Sequence, residues 1–461
     1  MNLFPECLLV ANRGEIARRI IKTANRLGVR TVAVYHKVDA ALPYVAEASV
    51  AIELTGDMPV QSYLDRAQII AIAKEAGATA IHPGYGFLAE NAGFAREVAE
   101  AGLIWVGPSA EVIEVMGDKV ESRRAVAAAG VPISGDAGAA LKTGDEAVEE
   151  ADRIGYPVMV KASAGGGGIG MAVAHNADEL RKAFENTKSM SERSFGSDRV
   201  FVERFVQSAR HIEVQVLGLD DGTVVALGER DCSTQRRHQK LIEESPAPHL
   251  DPAVRERLIE CAIASAAAVG YRNAGTVEFL LDTVTGDFVF LEMNTRIQVE
   301  HPITEMTHGV DLVEQQLSIA ATGTTTEDFA PVARGHAIEL RICAEDPKKF
   351  FPRPGPIDGW IEPTGEGIRV DSGYQAHTEV TPHFDSLIAK VCAFGATRAE
   401  AHARAIKACE EFDIQGLVTN QQFLEEILAS GEFTEGRYDT GLVERIQLRL
   451  KEEAKLAKRS A

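Results

Sequence analysis

The stretch TVEFLLDTVTGDFVFLEMNTRIQVEHPITE, Thr276 to Glu305, holds two apolar runs separated by a turn. In the first, Val277, Phe279 and Leu281 alternate with Glu278, Leu280 and Asp282. After Thr283 to Gly286, Val289, Leu291 and Met293 alternate with Phe290, Glu292 and Asn294. A period of two is that of a strand, so the stretch predicts a hairpin with a core face on each arm. A fold about residue 285 sets Glu278 opposite Glu292 and turns both carboxylates and Asn294 to the other face. Two unpaired carboxylates so placed repel. The arrangement makes sense around divalent cations, and oxygen ligands of this kind suit Mg²⁺ carried by a nucleotide. Two exposed glutamates on a wet sheet face are the plain alternative. Directly after come Arg296, Gln298, Glu300 and His301, where an Arg and a Glu could hold a small anion and accept its proton.

Upstream, GERDCSTQRRHQKLIEESPAP (Gly228 to Pro248) gathers Arg230, Arg236, Arg237, His238 and Lys240. Gln235 and His238 can bond a ribose or phosphate, and Lys240 can reach a transferred phosphoryl group. A solvated basic loop is the usual fate of such a run. Further upstream, KASAGGGGIGM (Lys161 to Met171) follows an apolar strand. Consecutive glycines can aim their N–H groups at an anion, with Lys161 beside them. GxxxxGK[ST] is absent, so this is no Walker A loop, and a flexible hairpin tip competes with the phosphate cradle.

The first 110 or so residues alternate strand and helix signals, starting with Leu8 to Ala11, a helix with Ile16, Ile20, Ile21 and Ala24 at helical spacing, and a cap at Gly28. This predicts an open, mostly parallel α/β sheet. The first turn carries Gly14 alone where GxGxxG would be needed, which excludes NAD or FAD binding there. One linking helix is expected over Met116 to Gly130, and a charged surface helix over Arg445 to Ser460.

The chain has 461 residues, 48 Lys plus Arg and 68 Asp plus Glu, a formal charge of −20. That balance argues against a nucleic-acid binder, which needs a basic footprint. With 45% hydrophobic and 25% charged residues the composition is that of a globular protein, not a disordered one. The six cysteines form no CxxC pair, which fits a reducing compartment and no structural zinc. With neither a signal peptide nor an apolar run of membrane length, a cytoplasmic protein with no membrane contact is expected.

Together these stretches resemble biotin carboxylase, a member of the ATP-grasp superfamily. LLVANRGEIA, HPGYGFLAEN (His82 to Asn91), MGDK (Met116 to Lys119), RHIEVQVL (Arg210 to Leu217) and RICAEDP (Arg341 to Pro347) belong to the same pattern, which runs from Cys7 to about residue 445. The resemblance implies a multidomain α/β and α+β chain. Its parts would be a Rossmann-like N-terminal domain (1–115), a linking helix (116–133), a mobile lid (134–207) and a C-terminal ATP-grasp and biotin carboxylase region (208–461). Carried over position by position, Lys119 and Lys161 would bind the phosphates of ATP, with Gly165, Gly166, Gly167 and Gly168 closing over them. Glu203 and Val206 would contact adenine, and His211, Gln235 and His238 the rest of the nucleotide. Glu278, Glu292 and Asn294 would bind Mg²⁺ or Mn²⁺. Lys240, Arg296, Gln298, Val299 and Glu300 would hold bicarbonate, with Glu300 as its base, and Arg341 would stabilise the biotin enolate. The implied reaction is attack of bicarbonate on the γ-phosphate of ATP to give carboxyphosphate, then capture of CO₂ by biotin.

The chain departs from the family pattern at Ala164, Ile169, Arg204 and Cys343. Ile169 stands where Arg or Lys is common and removes a charge near the phosphates. No MKM biotinylation tripeptide occurs, so the resemblance implies a stand-alone protein served by a separate biotin carboxyl carrier protein and by carboxyltransferase subunits, and a homodimer. The competing readings are another ATP-grasp carboxylate–amine ligase, told apart by which acceptor releases ADP, and a non-catalytic nucleotide-binding paralogue. Loss of Arg296, Glu300 or Arg341 would favour the paralogue, and all three are present.

Overall fold

The computed structural model describes residues 3–135, 141–162, 171–206 and 208–460. Five parallel strands open the chain: β1 (Cys7–Val10), β2 (Arg30–Tyr35), β3 (Val50–Glu53), β4 (Ala80–His82) and β5 (Ile104–Trp105), in the order β3-β2-β1-β4-β5. The first helix, Gly14–Arg26, buries Ile16, Ile20, Ile21 and Ala24. It ends because Gly28 enters the left-handed region (φ +75°), which lets the Val29 N–H return to the Ala24 carbonyl at 2.9 Å. At the other end of β1, the Asn12 amide donates to the carbonyls of Pro83 and Tyr85, each at 2.7 Å, and so pins the HPGYG turn beside the first helix.

The single linking helix expected over Met116 to Gly130 is two helices, Ala110–Gly117 and Lys119–Ala128. Asp118 is extended between them, and its carboxylate accepts from the N–H groups of Val120 (2.8 Å) and Glu121 (3.1 Å). An Asp that caps a helix starts a new one; here it also fixes the first residue of that helix, Lys119.

The next unit has its own small core. Strands β6 (Val158–Ala162), β7 (Met171–Ala174) and β8 (Val200–Arg204) form an antiparallel sheet, β7-β6-β8, backed by helices Gly144–Ile154 and Ala177–Phe195. Ala147, Ala151, Val158, Val160, Leu180, Phe184 and Val202 pack together inside it. Ala164, the glycines Gly165 to Gly168 and Ile169 lie outside the described residues.

The rest is organised by one antiparallel sheet of eight strands. These are β9 (Ala209–Gly218), β10 (Val224–Arg236), β11 (Gln239–Ser245), β12 (Asn273–Asp282), β13 (Phe288–Asn294) and β14 (His336–Cys343), then, after the short strands β15 (Gly355–Pro356) and β16 (Gly359–Ile361), β17 (Ile368–Ser372), and, after β18 (Glu379–Val380), β19 (Leu387–Gly395). The sheet order is β13-β12-β9-β10-β11-β14-β19-β17. The basic stretch Gly228 to Pro248 is therefore no loop. It is most of a hairpin whose two-residue turn, Arg237-His238, has both φ values positive (49° and 67°).

Among the register shifts of this sheet, two bear directly on which charged side chains share a face. In β12–β13, Glu278 pairs with Glu292 and Phe279 with Phe290, so Leu291 is the extra residue. The alternation expected for β13 consequently breaks. Met293 faces the core, but below the bulge Phe288 and Phe290 do so in place of Val289 and Leu291, and Phe279 meets both rings edge-on at 5.5 and 6.4 Å. In β10–β11, Thr234 pairs with Ile242 and Gln235 with Lys240, which leaves Leu241 as the extra residue. That bulge brings Lys240 to the same face as Glu243 in spite of their odd spacing.

The C-terminal segment is tied in through Glu244 of β11. This fully buried carboxylate meets His336 Nε2 (2.5 Å), Arg398 Nε and Nη2 (2.7 and 3.0 Å) and the Tyr438 hydroxyl (2.5 Å). Burial works to raise its pKa, but hydrogen bonds from His336 and Arg398 outweigh that and lower it to about 2. Its folded value lies below its unfolded value of about 4.3, so its stabilisation is present above that pH and fades as pH falls toward 2. Glu244→Gln is expected to cost about 3 kcal/mol at neutral pH, with the gap to the wild type closing as acid is added. Urea midpoints measured from pH 7 downward check this, and a gap independent of pH contradicts it.

Candidate functional site

Cross-strand register places a row of charged residues on one face of the large sheet. Glu292 of β13 pairs with Glu278 of β12, Glu278 with Glu213 of β9, and Glu213 with Arg230 of β10. The expected pairing of Glu278 with Glu292 is the register observed, and Asn294 Nδ2 donates to Glu278 Oε1 at 2.8 Å. Glu278 is buried rather than set on a wet face.

Lys240 reaches this row from the β10–β11 hairpin. Its ammonium donates to Glu213 Oε2 (2.6 Å), Glu300 Oε1 (2.6 Å) and Glu278 Oε1 (3.2 Å). Burial works against the charged ammonium, but Cys232, Glu213, Glu278 and Glu300 around it outweigh that and raise its pKa well above the usual lysine value. Among the described residues, the groups able to share a metal ion are His211–Glu213–Glu278 and Glu213–Cys232–Glu300. Both contain carboxylates that Lys240 already serves as cation.

Glu278 also accepts from His211 Nε2 (2.7 Å) and Gln298 Nε2 (2.9 Å). Burial is outweighed there by Lys240 and His211, and the carboxyl is held far below its usual value. Its partner Glu292 goes the other way. Burial and then the Glu278 charge push it up, against Lys119. A carboxylate pair that is short of positive charge on the Glu292 side is what a divalent cation would satisfy, so the donors present fit the metal.

Glu300 precedes the helix His301–His308, its side chain makes no capping bond to that helix, and it is completely buried. Besides Lys240 on Oε1, Arg341 Nη2 donates to its Oε2 at 3.0 Å. Burial favours the acid, but Lys240, Arg341 and Arg230 outweigh it and hold Glu300 well below the usual carboxylate range. Arg296 does not touch Glu300. It is aimed by Asn294 Oδ1 and Gln298 Oε1, both at 2.9 Å, and by Glu90 at 3.1 Å, so the N-terminal domain's HPGYGFLAEN segment contributes to the site. The Val299 carbonyl accepts from the buried Lys390 at 2.7 Å.

The nucleotide candidates adjoin this centre. Lys119, at the start of its helix, feels the charges of Glu292, Lys161 and Glu203. Lys161 and Arg123 both pair with Glu203, so that side chain is committed and its main chain is what remains for a base. Gln235 reaches His211 Nδ1 at 3.5 Å. His238 stands exposed in the hairpin turn, and Val206 is half-buried between β8 and β9.

Sequence reasoning missed Glu213, Glu243, Glu90 and the role of Arg230. Arg230 is fully buried and spans Glu213 (2.5 Å), Gln215 (2.9 Å), Thr304 (2.9 Å) and Thr276 (3.1 Å). A signal existed for Glu213, because His211, Glu213 and Gln215 alternate with Ile212, Val214 and Val216 on one strand. The Leu241 bulge hid Glu243.

Three family models match the chain: "Biotin carboxylase, N-terminal domain" over 5–113, "Carbamoyl-phosphate synthase L chain, ATP binding domain" over 118–327, and "Biotin carboxylase C-terminal domain" over 339–445. Biotin carboxylase 2 of Bacillus subtilis is 46% identical over 434 residues, covering 94% of this chain and 98% of that one. The biotin carboxylase of Halalkalibacterium halodurans is 48% identical over 439 residues, covering 95% of this chain and 96% of its own. Among solved structures, the Campylobacter jejuni biotin carboxylase β-γ-ATP complex superposes with a TM-score of 0.92 at 42% identity, over 96% of this chain and 99% of that one. The biotin carboxylase domain dimer of Hydrogenobacter thermophilus 2-oxoglutarate carboxylase, in complex with MgADP, ADP and bicarbonate, does so at 0.90 and 43%, over 96% and 98%.

Proposed function

The chain belongs to the biotin carboxylase family, and on that premise we propose how its own residues divide the work. The protein is an ADP-forming ligase that uses ATP and bicarbonate to carboxylate biotin. The observation that carries the assignment of roles is the Lys240 node. One ammonium is shared by three buried carboxylates, with Arg341 on the far side of Glu300 and Arg296 aimed by Asn294 and Gln298.

Lys119, Lys161, His211, Gln235 and His238 bind ATP, with Glu203 and Val206 at the base and the glycines Gly165 to Gly168 over the phosphates. Glu278, Glu292 and Asn294 would hold Mg²⁺, which when bound would neutralise charge on the phosphoryl oxygens. Lys240, Arg296, Gln298, Val299 and Glu300 hold bicarbonate. Glu300 starts as a carboxylate tied to Lys240 and Arg341, a poor base. Each contact that bicarbonate takes from Glu300 raises its affinity for a proton, so the base is armed by the substrate it deprotonates. The bicarbonate oxygen then bonds to the γ-phosphorus as the bond to ADP breaks, and stabilisation of the transferring group is mostly electrostatic. Carboxyphosphate then breaks at its C–O bond into CO₂ and phosphate, the phosphate takes the ureido proton of biotin, and the ureido nitrogen bonds to CO₂, with Arg341 facing the charge that develops on the ureido oxygen.

We assign the domains to 1–115, 116–133, 134–207 and 208–461, the biotin to a separate carrier protein, the acyl acceptor to carboxyltransferase subunits, the working form to a homodimer and the compartment to the cytoplasm. No helix among the described residues is long and apolar enough to cross a membrane. The test of the function is ADP release in bicarbonate-depleted buffer. It is expected to depend on added bicarbonate and to be stimulated by free biotin, and indifference to bicarbonate contradicts the assignment. For the metal, Glu292→Gln is expected to weaken Mn²⁺ binding in the presence of ATP at least about tenfold, read by electron paramagnetic resonance. Unaltered Mn²⁺ affinity would remove Glu292 from the metal site.

A further inference from the structure

Arg341 is held at two points. Its Nε donates to Glu243 Oε1 at 2.5 Å and its Nη2 to Glu300 Oε2 at 3.0 Å. Behind it, Glu243 of β11 and Glu339 of β14 are direct cross-strand partners, and both are fully buried. The outer oxygen of Glu339, Oε2, takes the Cys392 thiol at 3.3 Å. Glu243 Oε2 and Glu339 Oε1 have no hydrogen-bond partner among the described residues. Two buried carboxylates side by side, each with one unsatisfied oxygen, repel if both are charged and satisfy each other if one carries a proton.

We propose that Glu339 carries that proton and donates it to Glu243, and that the pair so joined is the fixed anchor of Arg341, while Glu300 is its releasable partner. The charges around the pair agree. Burial, opposed by Arg341, aided by Glu300 and opposed by Lys240, pushes the Glu243 carboxyl up to about 7. Burial pushes Glu339 well above the usual range, against Lys390 and Arg341 and together with Glu243 and Glu300. Glu243 is the member that faces the guanidinium, so it is the one that stays charged.

The anchor has a consequence for the reaction order. When Glu300 takes the bicarbonate proton, it loses the charge that held Arg341 Nη2. Glu243 keeps Nε, so the guanidinium stays in place with its outer arm free for the biotin ureido oxygen. Glu243 is thus a positioning residue for the second half-reaction, an inference that rests on the role of Arg341 proposed above.

The test combines infrared spectra with the yield of carboxybiotin per ADP. At neutral pH the wild type is expected to show a buried protonated-carboxyl band that Glu339→Gln removes. Glu243→Gln is expected to lower carboxybiotin per ADP about tenfold or more, because a charge-assisted contact to Arg341 is lost. Glu339→Gln, whose amide still donates to Glu243, is expected to keep coupling within about twofold of the wild type. Equal damage by both substitutions, or a spectrum unchanged in Glu339→Gln, overturns the proposal. If Glu243→Gln fails to fold, as read by its melting, the infrared comparison of the wild type with Glu339→Gln decides alone. Arg341→Ala separates the two claims. If it stays coupled, the role of Arg341 is wrong; if it uncouples and a folded Glu243→Gln does not, only the anchor is wrong.

Discussion

Glu300→Gln is expected to bind ATP with unchanged affinity and to cleave it, in the presence of bicarbonate, about a hundredfold or more slowly, the range lost with a positioned general base. Glu300 is completely buried, and each of its oxygens takes a cation, Lys240 at 2.6 Å and Arg341 at 3.0 Å. Gln keeps the volume and one acceptor oxygen, so the pocket does not collapse. It turns an N–H₂ toward one of two cations and has no charge with which to take a proton. Of the nucleotide candidates, Lys161 pairs with Glu203 and His211 with Glu278 rather than with Glu300, which is why ATP binding is expected to survive. ATP affinity and single-turnover ADP formation are the two measurements, and turnover within a few-fold of the wild type would take Glu300 out of the base role.

The second large effect is on coupling. Arg341→Ala is expected to retain much of the bicarbonate-dependent ATP cleavage and to lose most carboxybiotin. On this strand, apolar Ile338, Leu340 and Ile342 face the core and Glu339 and Arg341 the other way, as the alternation of the sequence predicts. Arg341 reaches Glu300 and Glu243, and no other carboxylate partner is described for it. Its charge is most useful where negative charge appears on the ureido oxygen, so it lowers the second barrier more than the first. A fall of about a hundredfold in carboxybiotin per ADP is expected, the cost of removing one oxyanion donor. ADP and carboxybiotin counted in one assay give the answer, and a ratio equal to the wild type removes Arg341 from the biotin step.

Legibility followed locality. The parallel N-terminal sheet could be read because each strand and helix is announced by its own period. The opposition of Glu278 and Glu292, expected from a fold about residue 285, is reached only through the bulge: the turn pairs Leu281 with Phe288 and Phe279 with Phe290, and the extra Leu291 shifts the register by one so that Glu292 meets Glu278. Wherever a bulge intervenes, parity fails. Leu291 reverses the faces of the lower half of β13, and Leu241 brings Glu243 onto the face of Lys240. The hairpin Val224–Ser245 was disguised as a basic loop because only its turn, Arg237-His238, is exposed, while Arg230 lies buried in the sheet. Arg230 is neutralised by Glu213, a residue on another strand that sequence spacing does not connect to it. Asp118 divided the linking helix through a cap that propensity alone does not show.

The central claim is that bicarbonate itself attacks the γ-phosphorus of ATP beside Lys240 and Glu300. The most direct measurement is the fate of isotopic oxygen. Bicarbonate labelled with heavy oxygen is supplied with ATP and biotin in unlabelled water, and the inorganic phosphate released is examined by mass spectrometry. Attack by a bicarbonate oxygen forms a P–O bond that survives when carboxyphosphate loses CO₂, so one labelled oxygen is expected in each phosphate. Phosphate that carries only unlabelled oxygen, with carboxybiotin still formed, would contradict the account.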